Sequence, residues 1–171
     1  MIRKLIARRL EAEERRAGVP LDYIRFILRT SFASFIKYAL FIPMSRHRRK
    51  LPADAFHVAR LVATRSEDCG TCVQIVVNLA RQDGLPPALI QAVLAGGTEA
   101  MPDDLADVYR FTLAVLQASY DEGELRERLR TRYGEEALIE LAFAIATVRV
   151  FPITKRALGY AVSCSKVELT I

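Results

Sequence analysis

The chain has 171 residues, of which 51% are hydrophobic and 26% charged, and its formal net charge is +5. This length and composition are typical of a single globular domain with a substantial core, so we treat residues 1–171 as one domain. The odd number of cysteines, three, and the absence of a signal-peptide cleavage pattern argue against a disulfide-rich secreted protein. We therefore expect a cytoplasmic location.

The positive charge is concentrated in the first part of the chain. Residues 1–50 contain 13 Lys and Arg against 4 Asp and Glu, whereas residues 51–171 contain 12 against 16. This basic region favours weak contact with an anionic membrane, although a solvated helix face is the simpler interpretation. No aromatic or glycine-rich nucleic-acid motif accompanies it, so we expect no nucleic-acid partner. Residues 20–43 contain four charged side chains, and we expect no membrane-spanning helix.

Helical periodicity runs through almost the whole chain, and no segment shows a convincing strand alternation. The sequence therefore predicts an all-α bundle of about eight helices. Residues 1–19 contain a basic N-terminal helix that stops at Gly18 and Pro20. Glycine and proline positions delimit the later predicted helices, which cover residues 21–41 (one or two helices), 53–65, the thiol helix ending near 82, 86–95, 103–120, 122–133, 135–149 and 153–165.

The segment Cys69-Gly70-Thr71-Cys72 opens the predicted helix that ends near Gln82, after Ser66-Glu67-Asp68, which we expect to cap it. Two cysteines in the first turn of a helix can form a disulfide, and the helix dipole there stabilises the reactive thiolate. At helical spacing both cysteines share a face with Val73 and Val76. This apolar neighbourhood opposes ionisation, so the sequence leaves the thiol pKa open.

Two side chains are candidates for proton transfer to these thiols. If the preceding helix runs antiparallel, it offers His57, twelve residues before Cys69, and imidazole exchanges protons near neutral pH. A packed or surface histidine is the alternative interpretation of His57. Glu67 is the second candidate because it lies close to the thiols in sequence.

These residues are the centre of a resemblance. The segment from Phe56 to Gly84, the proline-started helix that follows it and the stretch from Glu140 to Ala146 resemble the alkylhydroperoxidase D and carboxymuconolactone decarboxylase family, over residues 20–165. The resemblance implies an all-helical fold and a homo-oligomer. Family members with the CxxC pair act as thiol peroxidases or disulfide reductants, whereas the decarboxylase branch generally lacks it.

By this resemblance Cys72 is the peroxidatic thiol and Cys69 the resolving thiol, and no cofactor is required. The implied partners are a small-molecule hydroperoxide and a thiol or dithiol reductant. The chain departs from the family in its proton relay, because His57 replaces an expected glutamate, Val76 an expected histidine, and Thr71 a frequent His or Tyr. The alternative function is therefore a non-catalytic or regulatory helical oligomer that has kept the fold.

Zinc binding by Cys69, Cys72, His57 and a fourth group such as Cys164 is a further possibility for these thiols. Structural zinc sites usually show a second paired ligand motif, and the sequence has none. We therefore expect no metal and interpret Cys164 as a lone thiol. The nucleotide, zincin and serine-hydrolase motifs are absent from the sequence.

Overall fold

All regular secondary structure in the described part of this computed structural model, residues 2–119, 122–163 and 167–171, is α-helical. The predicted all-α bundle is confirmed. Two pairs of segments are continuous, Phe32–Ser45 and Glu135–Ala157, so the described residues form nine helices in eleven segments. The segments are α1 (Ile2–Ala17), α2 (Asp22–Thr30), α3 (Phe32–Ala39), α4 (Phe41–Ser45), α5 (Ala53–Arg65), α6 (Gly70–Gln82), α7 (Pro87–Ala95), α8 (Asp103–Leu116), α9 (Glu122–Tyr133), α10 (Glu135–Val148) and α11 (Val150–Ala157).

Helix α5 is the centre of the bundle. Every residue from Ala55 to Thr64 is buried, and the helix packs against α6, α7, α8 and α10. A helix that is buried on all sides is normally apolar throughout. In α5 this buried run also contains His57, Arg60 and Thr64, so three polar side chains are carried into the interior.

The turn between α5 and α6 differs from the prediction. Cys69, rather than Ser66, Glu67 or Asp68, is the N-cap residue of α6, and it forms no side-chain capping hydrogen bond. Asp68 has a left-handed backbone conformation (φ +47°), which aspartate tolerates better than most residues. Its carboxylate accepts a hydrogen bond from Ser163 Oγ at 3.0 Å. The Asp68 side chain thus bonds a residue distant in sequence instead of capping α6.

Residues 160–163 and 167–171, which we call the C-terminal segment, are not helical. The predicted helix over 153–165 is wrong in its bounds. Helix α11 spans Val150–Ala157, residues 160–163 are not helical, and residues 164 and 165 lie outside the described residues. Pro152 lies in the first turn of α11, where proline is tolerated. The segment lies against the start of α6: Gly70 N–H donates to Val162 O at 3.0 Å. Thr170 N–H also donates to Gln74 Oε1 at 2.8 Å, and Gln74 Nε2 donates back to Thr170 O at 2.9 Å.

The continuous helix Glu135–Ala157 is the one segment among the described residues long and apolar enough to cross a membrane by length and composition. The mean hydropathy of its most apolar window is 1.7, and 44% of that window is buried inside the protein. Leu141, Ala144 and Ile145 belong to the buried core that α5 also forms. Buried core helices of soluble bundles pass the same test of length and composition.

A buried carboxylate on α10 orders the basic connector that precedes α5. Glu140 accepts backbone hydrogen bonds from Arg49 at 2.9 Å, Lys50 at 3.0 Å and Leu51 at 2.8 Å. Burial opposes ionisation of Glu140, but these three amides outweigh it, and its pKa lies below the usual value. The charged carboxylate of Glu140 therefore provides the hydrogen-bond acceptor for the backbone N–H groups of residues 49–51 in the connector.

We expect Glu140→Gln to lower the free energy of unfolding by about 2 kcal/mol at pH 7, because an amide accepts these hydrogen bonds less strongly and brings unpaired N–H groups. Since the folded pKa is lowered, the stabilisation is complete above the usual pKa of 4.5 and is lost as the pH falls through the folded value. Urea unfolding at several pH values measures this. The exposed Glu136→Gln is the matched control, and equal stability of both variants at pH 7 would contradict the assignment.

Candidate redox site

The structure brings the two cysteines of the CxxC segment together. Their sulfur atoms lie at disulfide-bond distance, with the Cα atoms 5.3 Å apart. Cys69 is the N-cap of α6 and is fully buried, whereas Cys72, in the first turn, keeps 6% of its surface exposed. Cys72 is therefore the more exposed residue of the pair.

Cys72 lies in the wall of a cavity of about 380 Å³. This volume falls in the range of sites that bind small organic molecules. Most of the wall surface is apolar, and its polar and charged side chains are those of Glu13, Ser45, Arg46, Arg60, Thr64, Asn78, Gln82 and Lys155. The apolar wall includes Ile24 of α2, Ile75, Val76 and Leu79 of α6, and Val148 and Phe151 of α10 and α11. Val76 and Cys72 thus line the same cavity, and Val76 adds to its apolar surface.

A buried lysine is connected to the thiol pair. Lys155 of α11 donates a hydrogen bond from Nζ to Thr71 Oγ1 at 2.5 Å, and Thr71 Oγ1 lies 3.7 Å from Cys69 Sγ. Lys155 is 4% exposed and also lines the cavity that contains Cys72. Sequence reasoning missed Lys155 because 84 residues separate it from Thr71. The sequence signal for Lys155 is its position shortly after the long apolar run from Leu141 to Val150.

The surroundings of Lys155 make its proton easier to remove. Burial lowers the pKa of Lys155, and the charge of Asp22 offsets only part of this effect. Its Nζ lies 5.8 Å from the ring centroid of Tyr23, whose own pKa is raised by burial, so that the phenol stays neutral. Lys155 forms no ion pair among the described residues. It is therefore a candidate general acid for the site.

The structure places His57 at the other end of α6. Its Nε2 lies 2.8 Å from Oδ2 of Asp83, the residue that follows the last turn of α6. Since Asp83 is eleven residues beyond Cys72, Asp83 and the His57 ring bonded to it lie roughly 16 Å from Cys72 along the axis of α6. Burial lowers the pKa of His57 and the bond to Asp83 offsets this in part. His57 and the two sulfurs are not brought together.

Glu67 lies near the thiols but is committed to other partners. Its carboxylate is buried, with Oε1 accepting from Arg149 Nε at 2.5 Å and Oε2 from Arg156 at 3.4 Å. Glu67 thus joins the turn before α6 to α11. Cys164 lies outside the described residues. Within those ranges, no group of three or more His, Cys, Asp or Glu side chains could hold a metal ion.

A second buried cation, Arg60 of α5, also lines the cavity and was not among the predicted site residues. Its guanidinium lies over the Phe56 ring, 5.1 Å from the centroid, and its Nε has no hydrogen-bond partner. Burial, together with the nearby charge of Arg46, lowers the pKa of Arg60 to about 10. The available sequence signal is an arginine inside the otherwise almost entirely apolar run of α5.

Comparison with known proteins adds no identification: no protein-family model, curated protein or solved structure matches this chain. The resemblance to the alkylhydroperoxidase D family therefore stays a prediction. The function of the site has to be inferred from its own geometry.

We expect Lys155→Met to slow alkylation of the reduced protein at pH 7 by about tenfold, because loss of a nearby cation raises the pKa of the more reactive thiol by about one unit. Iodoacetamide rates measured from pH 5 to 9 give that pKa. Lys37→Met removes an exposed lysine and serves as the control. Identical rate–pH curves for all three proteins would exclude an electrostatic effect of Lys155 on the thiols.

We expect His57→Gln to leave the thiol alkylation rate within about twofold of wild type, because the ring lies far from both sulfurs along α6. The same variant should weaken folding, since it disturbs a buried side chain bonded to Asp83. Thermal unfolding and alkylation are measured on one preparation. A large drop in alkylation without loss of stability would restore His57 as the proton relay.

Proposed function

We propose that the protein is a dithiol oxidoreductase with alkylhydroperoxidase-like chemistry, which reduces hydroperoxides through a Cys69–Cys72 dithiol and disulfide cycle. The observation that carries this proposal is that Cys72, paired with Cys69, lines an organic-sized cavity together with the buried ammonium of Lys155. A nucleophilic sulfur, a partner thiol and a proton donor are the three groups that such a cycle needs.

In the first step the Cys72 thiolate attacks the outer oxygen of the hydroperoxide. The O–O bond breaks, an S–O bond forms, and Cys72 becomes a sulfenic acid while the organic product leaves as an alkoxide that needs a proton. Lys155 lies in the same cavity wall and holds a proton that burial makes easier to donate. We assign this proton to Lys155.

In the second step Cys69 resolves the sulfenic acid. Its sulfur attacks Cys72, the S–O bond breaks, the disulfide forms and the released hydroxide leaves as water after protonation. Thr71 bridges Lys155 and the Cys69 sulfur, so it can move the Cys69 proton toward the amine that gave up its own. An external thiol or dithiol then reduces the disulfide, and the net reaction converts a dithiol and a hydroperoxide into a disulfide, an alcohol and water.

This assignment offers a replacement for the family's altered relay. Two positions where the family carries titrating groups are His57 and Val76 in this chain. His57 lies at the far end of α6 from the cysteines, and Val76 is apolar and buried. Lys155 and Thr71 supply an ionisable group and a hydroxyl from a different direction.

The predicted partners, a thiol reductant, a second copy of the chain and an anionic membrane in weak contact, remain proposals, as does the cytoplasmic location. Exposed Leu40, between α3 and α4, and exposed Phe41 and Met44 of α4 offer an apolar surface for self-association.

We expect Cys72→Ser to abolish turnover of tert-butyl hydroperoxide in an assay with dithiothreitol as reductant, because serine is not a nucleophile toward peroxide at neutral pH. Cys69→Ser should still give one turnover, since Cys72 alone can form the sulfenic acid. Cys164→Ser is the matched control and should keep the wild-type rate. Mass spectrometry of the quenched protein locates the oxidised sulfur in each variant.

The rival function, a non-catalytic helical oligomer, makes the opposite prediction for the same experiment. Background-level turnover in wild type and all three variants, together with a dithiol that stays reduced under mild peroxide, would support the rival. A third outcome is that the Cys69–Cys72 disulfide forms quickly with a disulfide donor but not with peroxide. That outcome would support a thiol–disulfide exchange activity and exclude the peroxidase activity.

A further inference from the structure

Two residues that line the cavity beside Cys72 each carry a buried polar atom with no hydrogen-bond partner. These atoms are Nε of Arg60 and Oγ1 of Thr64, and the two residues lie one turn apart on the same face of α5. Arg60 is only 5% exposed and Thr64 only 1%. A buried guanidinium whose Nε has no acceptor is energetically costly, and an anionic oxygen group bound at the same guanidinium offsets part of that cost.

The charges around these atoms favour an anion. A second cavity, of about 240 Å³, adjoins the first and is lined by Arg46, Arg48, Arg60, His57 and Asp83. Among the described residues, Asp83 is its one carboxylate and is already bonded to His57, and Glu13 is the one carboxylate in the wall of the larger cavity. Together with Lys155 of the larger cavity, four cations and two carboxylates of the described residues line the two cavities. Such an excess of positive charge attracts negatively charged ligands.

The distance between the cationic end and the sulfur defines the shape of the ligand. Arg46, Arg60 and Leu79 line both cavities, so these residues mark their junction. Leu79 is seven residues beyond Cys72 on α6, which corresponds to roughly 10 Å along the helix. The wall between them is apolar, formed by residues such as Ile75 and Val76. The site therefore combines a cationic end, an apolar passage and a reactive sulfur.

We propose that the substrate is an amphipathic organic anion, a carboxylate or phosphate with an unbranched apolar chain, which binds with its head at Arg60 and its hydroperoxide group at Cys72. This proposal rests on the proposed function, because it names the substrate class of the same sulfur. The reaction is unchanged: Cys72 takes the outer peroxide oxygen, and the chain leaves as the corresponding hydroxy acid or phosphate while the dithiol supplies both electrons.

Binding is tested without thiol chemistry, using the disulfide form of the full chain and isothermal titration calorimetry. The probes are dodecanoate and dodecyl phosphate, below their micelle concentrations, with dodecanol and dodecyltrimethylammonium as uncharged and cationic controls. We expect both anions to bind one per chain and about tenfold or more tighter than the two controls. Preference for one anion identifies the head group. Equal binding of all four probes, or binding of none, would overturn the proposal.

Two variants test the two parts of the site separately. Arg60→Gln should weaken dodecanoate binding by about tenfold or more through loss of a charged hydrogen bond, and Arg65→Gln, an exposed arginine of the same helix, is its control. Ile75→Trp adds bulk from a half-buried position of α6 and should block the chain without changing charge. If Arg60→Gln does not fold, Ile75→Trp decides. Unchanged dodecanoate binding in the folded variants would overturn the proposal.

Failure of this proposal is distinguishable from failure of the proposed function. Turnover of tert-butyl hydroperoxide without dodecanoate binding would refute the amphipathic ligand and retain the peroxidase. Specific dodecanoate binding that depends on Arg60, without turnover of any hydroperoxide, would retain the anion site and refute its use as a peroxidase substrate site. Support for both requires a higher kcat/KM for a hydroperoxide of a fatty carboxylate than for tert-butyl hydroperoxide, with the difference lost in Arg60→Gln.

Discussion

The interior of this bundle contains two cations, Arg60 and Lys155, that form no ion pair among the described residues. Removing a charge from water is costly, and a protein without a use for such groups would replace them with apolar side chains of similar volume. Both cations line the cavity that contains Cys72. The rest of the fold can be understood as the scaffold that holds these two charges and one sulfur together.

Three helices divide this work. Helix α5 carries Arg60 inside the bundle, α6 presents the cysteine pair at its first turn, and α11 returns with Lys155. Glu67 joins α11 to the turn before α6, because its buried carboxylate binds Arg149, the N-cap residue of α11, and Arg156 in the last turn of α11. The sequence-based idea of Glu67 as a proton relay thus competes with a simpler structural role, in which the residue sets the position of α11 and hence of Lys155.

The helices that begin or end at proline or glycine could be predicted from the sequence. Helix α5, after Pro52, and α9, before Gly134, have the predicted bounds. Helix α8 was expected to reach residue 120 but ends at Leu116, because Ala118 adopts a left-handed conformation (φ +53°) that an alanine does not signal. The CxxC pair could be predicted because its residues are neighbours. Lys155 could not, since its contact with Thr71 depends on how α11 packs, which no local pattern encodes.

The C-terminal segment has a consequence for the order in which the site is assembled. Its hydrogen bonds to Gly70 and Gln74 join residues more than ninety positions apart, and contacts of such long range form late in folding. A chain that has been synthesised only as far as residue 160 contains both cysteines of the CxxC segment but lacks Val162 and Thr170, the residues that bond to Gly70 and Gln74 of α6. The cysteine pair is therefore synthesised before the residues that bond to the start of its helix, so we expect the CxxC segment to be more open to solvent in the unfinished chain than in the finished one.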